Sequence, residues 1–295
     1  MDAVAAEPPF QRVAIVGLGL VGGSIALGVR TAWPQVRLLA VDRPDVLEVA
    51  LARGAIDEGR ETVGALGGID ALILAAPIGQ NAAILEALPE TLAGEVVVTD
   101  VGSTKRRMLE AAAGLPARLV FVPGHPLGGA ARSGFAHARG TLFYERPWIL
   151  TPAAGTPDTA VAGVEALARG LGARPQRMAA DEHDRVMAFV SHLPQITASV
   201  LMEVAGREVE SRGLALAGGG LTDTTRLASS AASVWRDICT TNADAIGLAL
   251  EALDARIAEV RRSLAAGEDV GALFDDAARW RDVLTRQQRP RTDER

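Results

Sequence analysis

At 295 residues the chain is long for one compact domain, and two domains are the natural reading. With 48% hydrophobic and 22% charged residues it should fold around a sizeable core, and its net charge of −6 leaves no basic footprint for a nucleic-acid partner. No apolar run approaches the roughly 20 residues of a membrane span, residues 1–10 lack the pattern of a secretory leader, and the single Cys239 reads as a small buried apolar residue, which excludes an internal disulfide and a cysteine-based zinc site. The expectation is a cytoplasmic protein without a metal centre.

Residues 12–16 are a compact apolar run ending in glycines, and residues 36–42 are a second after an interval of helical length. Strand, helix, strand is the simplest parse. Between them Gly17-Leu18-Gly19-Leu20-Val21-Gly22 matches G-x-G-x-x-G in the context that gives the pattern its meaning, after a strand and opening a helix. Gly17 permits the tight turn, Gly19 lets the backbone approach a pyrophosphate, and Gly22 allows helix to pack closely on strand, while the amides from Leu20 and Val21 onward face the phosphates. Asp42 closes the second strand about 20 residues on, where a carboxylate would bond the ribose hydroxyls and repel a 2′-phosphate. This favours NAD over NADP, although Arg43 beside it could accommodate the extra phosphate.

The alternation continues with residues 70–75, a helical stretch at 81–88, and apolar runs at 96–98, 119–122 and 148–150. Continuous apolar strands separated by helices predict a mostly parallel sheet covered on both faces. Ligands in such sheets bind beyond the carboxyl ends of the strands, which puts Ala76-Pro77 and the stretch from Asp100 to Lys105 at the crevice. Ser103 and Thr104 there read either as turn or cap residues or as part of the site. Thr156-Pro157-Asp158 starts another helix, Gly172 ends it, and residues 174–178 offer a last strand.

From Asp181 the texture changes. Residues 181–211 and 242–266 have helical periodicity, so the fold class is α/β followed by all-α: a nucleotide-binding domain over 10–180 and a helical domain over 181–288. Gly218-Gly219-Gly220 marks a flexible break that presents the next residues on a loop. Pro194 inside a predicted helix crowds the carbonyl of Val190, so a kink should expose polar groups there.

Among the histidines, His125 in Pro123-Gly124-His125-Pro126 comes directly after an apolar strand, flanked by residues that favour a loop, and can face a nicotinamide ring. A neutral imidazole suits removal of a hydroxyl proton as hydride leaves. His183 and His192 are nine residues apart, which at 100° per residue places them on opposite faces of a straight helix.

Taken together, the glycine fingerprint, Asp100-Val101-Gly102-Ser103-Thr104-Lys105, Gly124-His125-Pro126 and then Ser133-Gly134, His183-Asp184, Ser191-His192-Leu193-Pro194 and Thr225-Arg226 resemble the prephenate and arogenate dehydrogenases of tyrosine biosynthesis. The resemblance covers nearly the whole chain. It implies a modified Rossmann domain and then an all-helical domain that builds a homodimer, and an NAD-dependent oxidative decarboxylation of prephenate or arogenate. It gives His125 the ring hydroxyl, makes Ser103 an orienting group for that histidine or for the nicotinamide, and gives Thr225-Arg226 a substrate carboxylate, which a guanidinium can grip bidentately. His192 is expected on the substrate side, His183 in a structural or supporting role, and Asp223 as partner of Arg226. Two positions depart from the family. Gln195 stands where many members carry a second histidine that approaches the substrate side chain, and Ala131 stands where many carry an acid. A dehydrogenase of hydroxy acids, or an NAD-sensing module without turnover, would share the Rossmann half, but the contexts of His125 and Arg226 speak against the latter.

Overall fold

The computed structural model describes residues 7–128 and 134–288. Ser133 and Ala131 lie outside the described residues. The chain divides into two compact units, Met1–Ile246 and Gly247–Arg295.

The first unit begins with alternating strands and helices: β1 Arg12–Val16, α1 Leu20–Ala32, β2 Arg37–Val41, α2 Pro44–Ala52, β3 Glu58–Arg60, β4 Ala71–Leu74, α3 Ile78–Thr91, β5 Val96–Asp100, α4 Arg106–Ala112 and β6 Leu119–Val122. These six strands form one parallel sheet in the order β3-β2-β1-β4-β5-β6. β1 and β4 are fully sequestered apart from Arg12, as strands flanked on both sides and covered on both faces must be. Strand order reverses between β1 and β4, so the crevice opens where Gly17 and Ala75-Ala76 meet.

A second, three-stranded sheet comes next, built from β7 Gly124–Pro126, β8 Pro147–Leu150 and β9 Arg174–Arg177, with α5 Asp158–Gly170 between the last two. Here the expected loop around His125 is corrected: β7 is an edge strand, antiparallel to β8, with His125 opposite Ile149. An edge position tolerates Pro126, whose missing N–H would break an interior ladder. Gly124 is required because a Cβ there would lie 2.8 Å from the Asp100 carbonyl oxygen and 2.9 Å from Trp148 Nε1.

The helices then run α6 Ala180–Met187, a π-helical turn Ala188–His192, α7 Leu193–Leu214, α8 Gly219–Thr224, a 3-10 turn Arg226–Ser229, α9 Ala232–Thr241, α10 Ala243–Ala266 and α11 Gly271–Gln288. The glycine run is not a loop throughout, since Gly219 and Gly220 open α8. Pro194 takes the first turn of α7, where its missing donor costs nothing, and the break it imposes is a wide π turn. Of the polar groups at this break, Ser191 is exposed but His192 is buried. Among the described residues no helix is long and apolar enough to cross a membrane.

Candidate active site

At the end of β1, Gly17 has φ +90°, and an added Cβ would meet Ala76 N at 2.7 Å and the Ala75 carbonyl at 2.8 Å. Gly22 is still more constrained, its Cβ falling 1.9 Å from Gly17 O. Around a Cβ on Gly19, the residue before α1, nothing stands within 4 Å. That open space above the helix N-terminus could take a phosphate, because the amides of Leu20, Val21 and Gly22 have no acceptor one turn earlier in the helix. Asp42 accepts from Leu18 N at 2.6 Å and Arg43 N at 2.7 Å, which fixes its carboxylate at the rim. The exposed Arg43 side chain pairs instead with Asp45. Across the crevice Ala76-Pro77 is held by Asn81, whose amide accepts from Ala76 N and donates to the carbonyls of Ala76 and Leu74. The residues present therefore fit a dinucleotide.

These glycines separate two effects. Gly22→Ala should destabilise the fold, because backbone cannot move away from a 1.9 Å contact, whereas Gly19→Ala should leave the melting temperature unchanged and raise the Michaelis constant for NAD. Thermal unfolding and NAD titration of the two variants check this pair.

Beyond the ends of β5 and β6 lies a buried polar cluster. Asp100, the last residue of β5, bonds the Lys105 ammonium at 2.6 Å, and both side chains are fully buried. Lys105 also donates to Gly124 O at 2.6 Å, while Gly124 N donates to Asp100 Oδ1 at 3.1 Å. Both backbone groups of the residue preceding His125 are thus held by one ion pair. Burial pushes the Lys105 ammonium below its usual range, against the pull of Asp100.

His125 Nδ1 lies 2.9 Å from His183 Nε2, and His183 Nδ1 lies 2.8 Å from Asp184 Oδ1. The His125 ring is half-buried, and its Nε2 has no hydrogen-bond partner among the described residues. Asp184 further accepts from Lys105 N, Arg106 N and Arg106 Nε. Burial alone would raise its carboxyl, but the His183 bond and the two backbone N–H groups hold it below the ordinary range. Burial, and then the neighbouring His183, Lys105 and His192, hold His125 well below 6.5. Arg106 also grips Asp244 at 2.6 Å and Asn242 Oδ1 at 2.9 Å. Asn242 donates to Asp184 O at 2.9 Å and lies 3.2 Å from His192 Nδ1. His192 is lowered to about 4 by burial.

The opposite-face expectation for His183 and His192 is therefore corrected: the π turn breaks the straight helix, and both rings join one buried cluster through Asn242 and Asp184. His192 is 1% exposed, so it stands within this cluster and not openly on a pocket wall. Ser103 is half-buried and makes no hydrogen bond to His125; the partner of His125 is His183. Gln195 is buried and has both ends occupied, its amide donating to Leu227 O at 2.7 Å and its oxygen accepting from Ser230 at 3.1 Å. It ties α7 to the turn carrying Arg226. Thr225 is buried and bonds back to Leu221 O, while Arg226 is exposed. Asp223 is exposed as well and forms no ion pair with Arg226, against expectation; both residues are exposed to solvent. Sequence reasoning missed Lys105, Asn81 and Asn242 as organisers. Only the short Asp100 to Lys105 spacing at a strand end hinted at the first.

The family model of the prephenate dehydrogenase nucleotide-binding domain matches residues 25–176, and that of the prephenate dehydrogenase dimerization domain matches residues 179–275. The chain is 36% identical over 290 residues to the prephenate dehydrogenase of Bacillus subtilis, covering 95% of this chain and 77% of the relative. It is 32% identical to the cyclohexadienyl dehydrogenase of Zymomonas mobilis, covering 86% and 87%. Among solved structures, the prephenate dehydrogenase of A. aeolicus, in complex with hydroxyphenyl propionate and NAD+, superposes with a TM-score of 0.86 at 28% identity, covering 93% of this chain and 98% of that one.

Proposed function

This chain belongs to the prephenate dehydrogenase family, and we propose that it catalyses the NAD-dependent oxidative decarboxylation of prephenate to 4-hydroxyphenylpyruvate and CO₂, with His125 as the base. The observation that carries the role of His125 is its placement: an imidazole fixed at Nδ1, with Nε2 left without a partner among the described residues, beyond the carboxyl ends of the sheet. NAD, when bound, supplies the hydride acceptor. His125 Nε2 takes the proton of the ring hydroxyl as the C–H bond at that carbon breaks. The ring carboxylate then leaves as CO₂, its C–C electron pair completes the aromatic ring, and His125 returns the proton to the phenol oxygen. No net proton is released, so the base needs only to hold one transiently.

In this reading Gly17, Gly19, Leu20, Val21, Gly22, Asp42, Arg43, Ala76 and Pro77 bound the NAD site, with Asp42 at the ribose. Ser103, at the β5 end, faces the nicotinamide side. Thr225 and Arg226 are the substrate-carboxylate segment, positioned by Gln195, and His192 backs His125 from within the buried cluster. Arogenate is the second substrate to consider, because one relative is a cyclohexadienyl dehydrogenase and the free end of Gln195 that would discriminate the side chain is absent: its amide is already committed. The division into a domain over 10–180 and one over 181–288, and a cytoplasmic location, belong to the same proposal.

The partner is a second copy of the chain through the helical part. In the first unit α7 exposes Val200, Leu201 and Val204, and in the second unit Ile257, Leu264, Phe274 and Trp280 are exposed, apolar surface of the kind an obligate interface buries.

Arg226→Ala tests the substrate assignment. The Michaelis constant for prephenate should rise at least tenfold with kcat changed little, since a charge-assisted bidentate contact formed with substrate and transition state alike is about 1.5–3 kcal/mol. Steady-state kinetics in which neither constant moves would remove Arg226 from the site.

A further inference from the structure

Resting on the reading of His125 as the base, we propose that the Asp184–His183 pair fixes His125 as the tautomer protonated at Nδ1, which makes both of them positioning residues for the reaction. Each hydrogen bond in the chain has one consistent direction. Asp184 receives N–H groups from the Lys105 backbone, the Arg106 backbone and the Arg106 side chain, so it is an acceptor-only carboxylate, and the proton in the Asp184–His183 bond sits on His183 Nδ1. A neutral His183 then offers a lone pair at Nε2. His125 Nδ1, 2.9 Å away, must be the donor. Its Nε2 is left as a lone pair, the only form of the ring that can take a hydroxyl proton.

The competing arrangement puts a second proton on His183, makes His125 Nδ1 the acceptor and leaves Nε2–H, a donor useless as a base. Burial and neighbouring cations oppose it. A second proton on His183 would put a charge in a fully buried position beside Lys105 and Arg106, and the carboxylate it touches, Asp184, already accepts from Arg106, which it shares with the exposed Asp244. The groups that face His125 and His183 from neighbouring elements are Lys105, Asp184 and His192. His192 provides an internal contrast. Asn242 Oδ1 accepts from Arg106 and its Nδ2 donates to Asp184 O, so Nδ2 also faces His192 Nδ1, and that ring carries its proton on Nε2. One cluster thus holds two histidines in opposite tautomers.

The same logic places an aspartate behind the histidine of hydrolytic triads, where removing the carboxylate's directing role gives the wrong tautomer and a rate loss of about 10⁴-fold. Here the directing carboxylate acts at one remove, through a second imidazole.

The test is ring ¹⁵N NMR on the full-length protein labelled at histidine, with the His125 signals identified by their loss in His125→Asn. We expect a protonated Nδ1 and an unprotonated Nε2 for His125, and the reverse for His192. In His183→Leu the His125 ring should lose its single tautomer, and kcat should fall roughly 100-fold or more with little change in the Michaelis constant. His183→Gln, whose carbonyl can accept from His125 Nδ1–H, should recover at least about tenfold of that loss. A wild-type His125 protonated at Nε2 overturns the proposal, as does a His183→Leu variant with unchanged tautomer or undiminished kcat. Should His183→Leu fail to fold, the wild-type spectrum still decides. Because the spectrum needs no substrate, a chain that does not turn over prephenate but shows the Nδ1–H tautomer would refute the functional reading and leave the tautomer assignment standing.

Discussion

Replacing His125 by Asn is expected to lower kcat with prephenate by two to four orders of magnitude while the Michaelis constant stays within about threefold. An asparagine in β7 keeps the backbone pairing with β8, and its side chain can still bond His183, so the loss reports chemistry and not a collapsed site. The wild-type pH profile carries the same information. Burial, together with His183, Lys105 and His192, holds His125 well below 6.5, so its base form persists on the acid side of neutrality. The fall of kcat/KM at low pH should therefore have its midpoint below 6.5, and that limb should vanish from the residual activity of His125→Asn. An equal, small effect on both constants would assign the ring a structural role.

Lys105→Met is expected to destabilise the fold by about 3–5 kcal/mol in urea denaturation, the usual consequence of stripping one partner from a buried ion pair. Met fills much of the lysine volume, so packing contributes little to the loss. What remains is Asp100, fully buried and without its cation, with the Gly124 carbonyl without its donor. The double variant Asp100→Asn with Lys105→Met should regain a substantial part of the stability, because an uncharged amide can still accept from Gly102 N or Gly124 N. It should not regain activity, since the grip on the Gly124 carbonyl stays lost and His125 is the next residue. A loss below about 1 kcal/mol in the single variant would mean that solvent compensates Asp100, contrary to its burial.

Much of the fold is legible because parallel strands buried on both faces must be largely apolar, and β1, β2, β4, β6 and the Val96-Val97-Val98 run of β5 are. β3 escapes because Glu58-Gly59-Arg60 is a short charged edge strand with no such pattern. β7 escapes for a different reason. Gly-His-Pro has loop propensity, and only the pairing with β8 and the clamp from Asp100 and Lys105 make it extended.

The site is legible residue by residue but not in its connections. Gly17, Gly19, Gly22 and Asp42 lie close in sequence and obey a local spacing rule, so their arrangement can be read directly. His125 and His183 are 58 residues apart and meet only through tertiary structure. Lys105 escapes because lysine is rarely fully buried, and Gln195 reads as a substrate contact because its packing against Leu227 and Ser230 has no signature in the chain. Pro194 announces a break in the helix, yet its form, a π turn that lets His192 share a cluster with His183, depends on what packs around it.

The reaction itself is tested most directly by a stoichiometric assay of the purified chain with prephenate and NAD. The expected result is NADH, CO₂ and 4-hydroxyphenylpyruvate in equal amounts, formed two to four orders of magnitude more slowly in His125→Asn. Binding of NAD without its reduction in the presence of prephenate, or of arogenate, would contradict it.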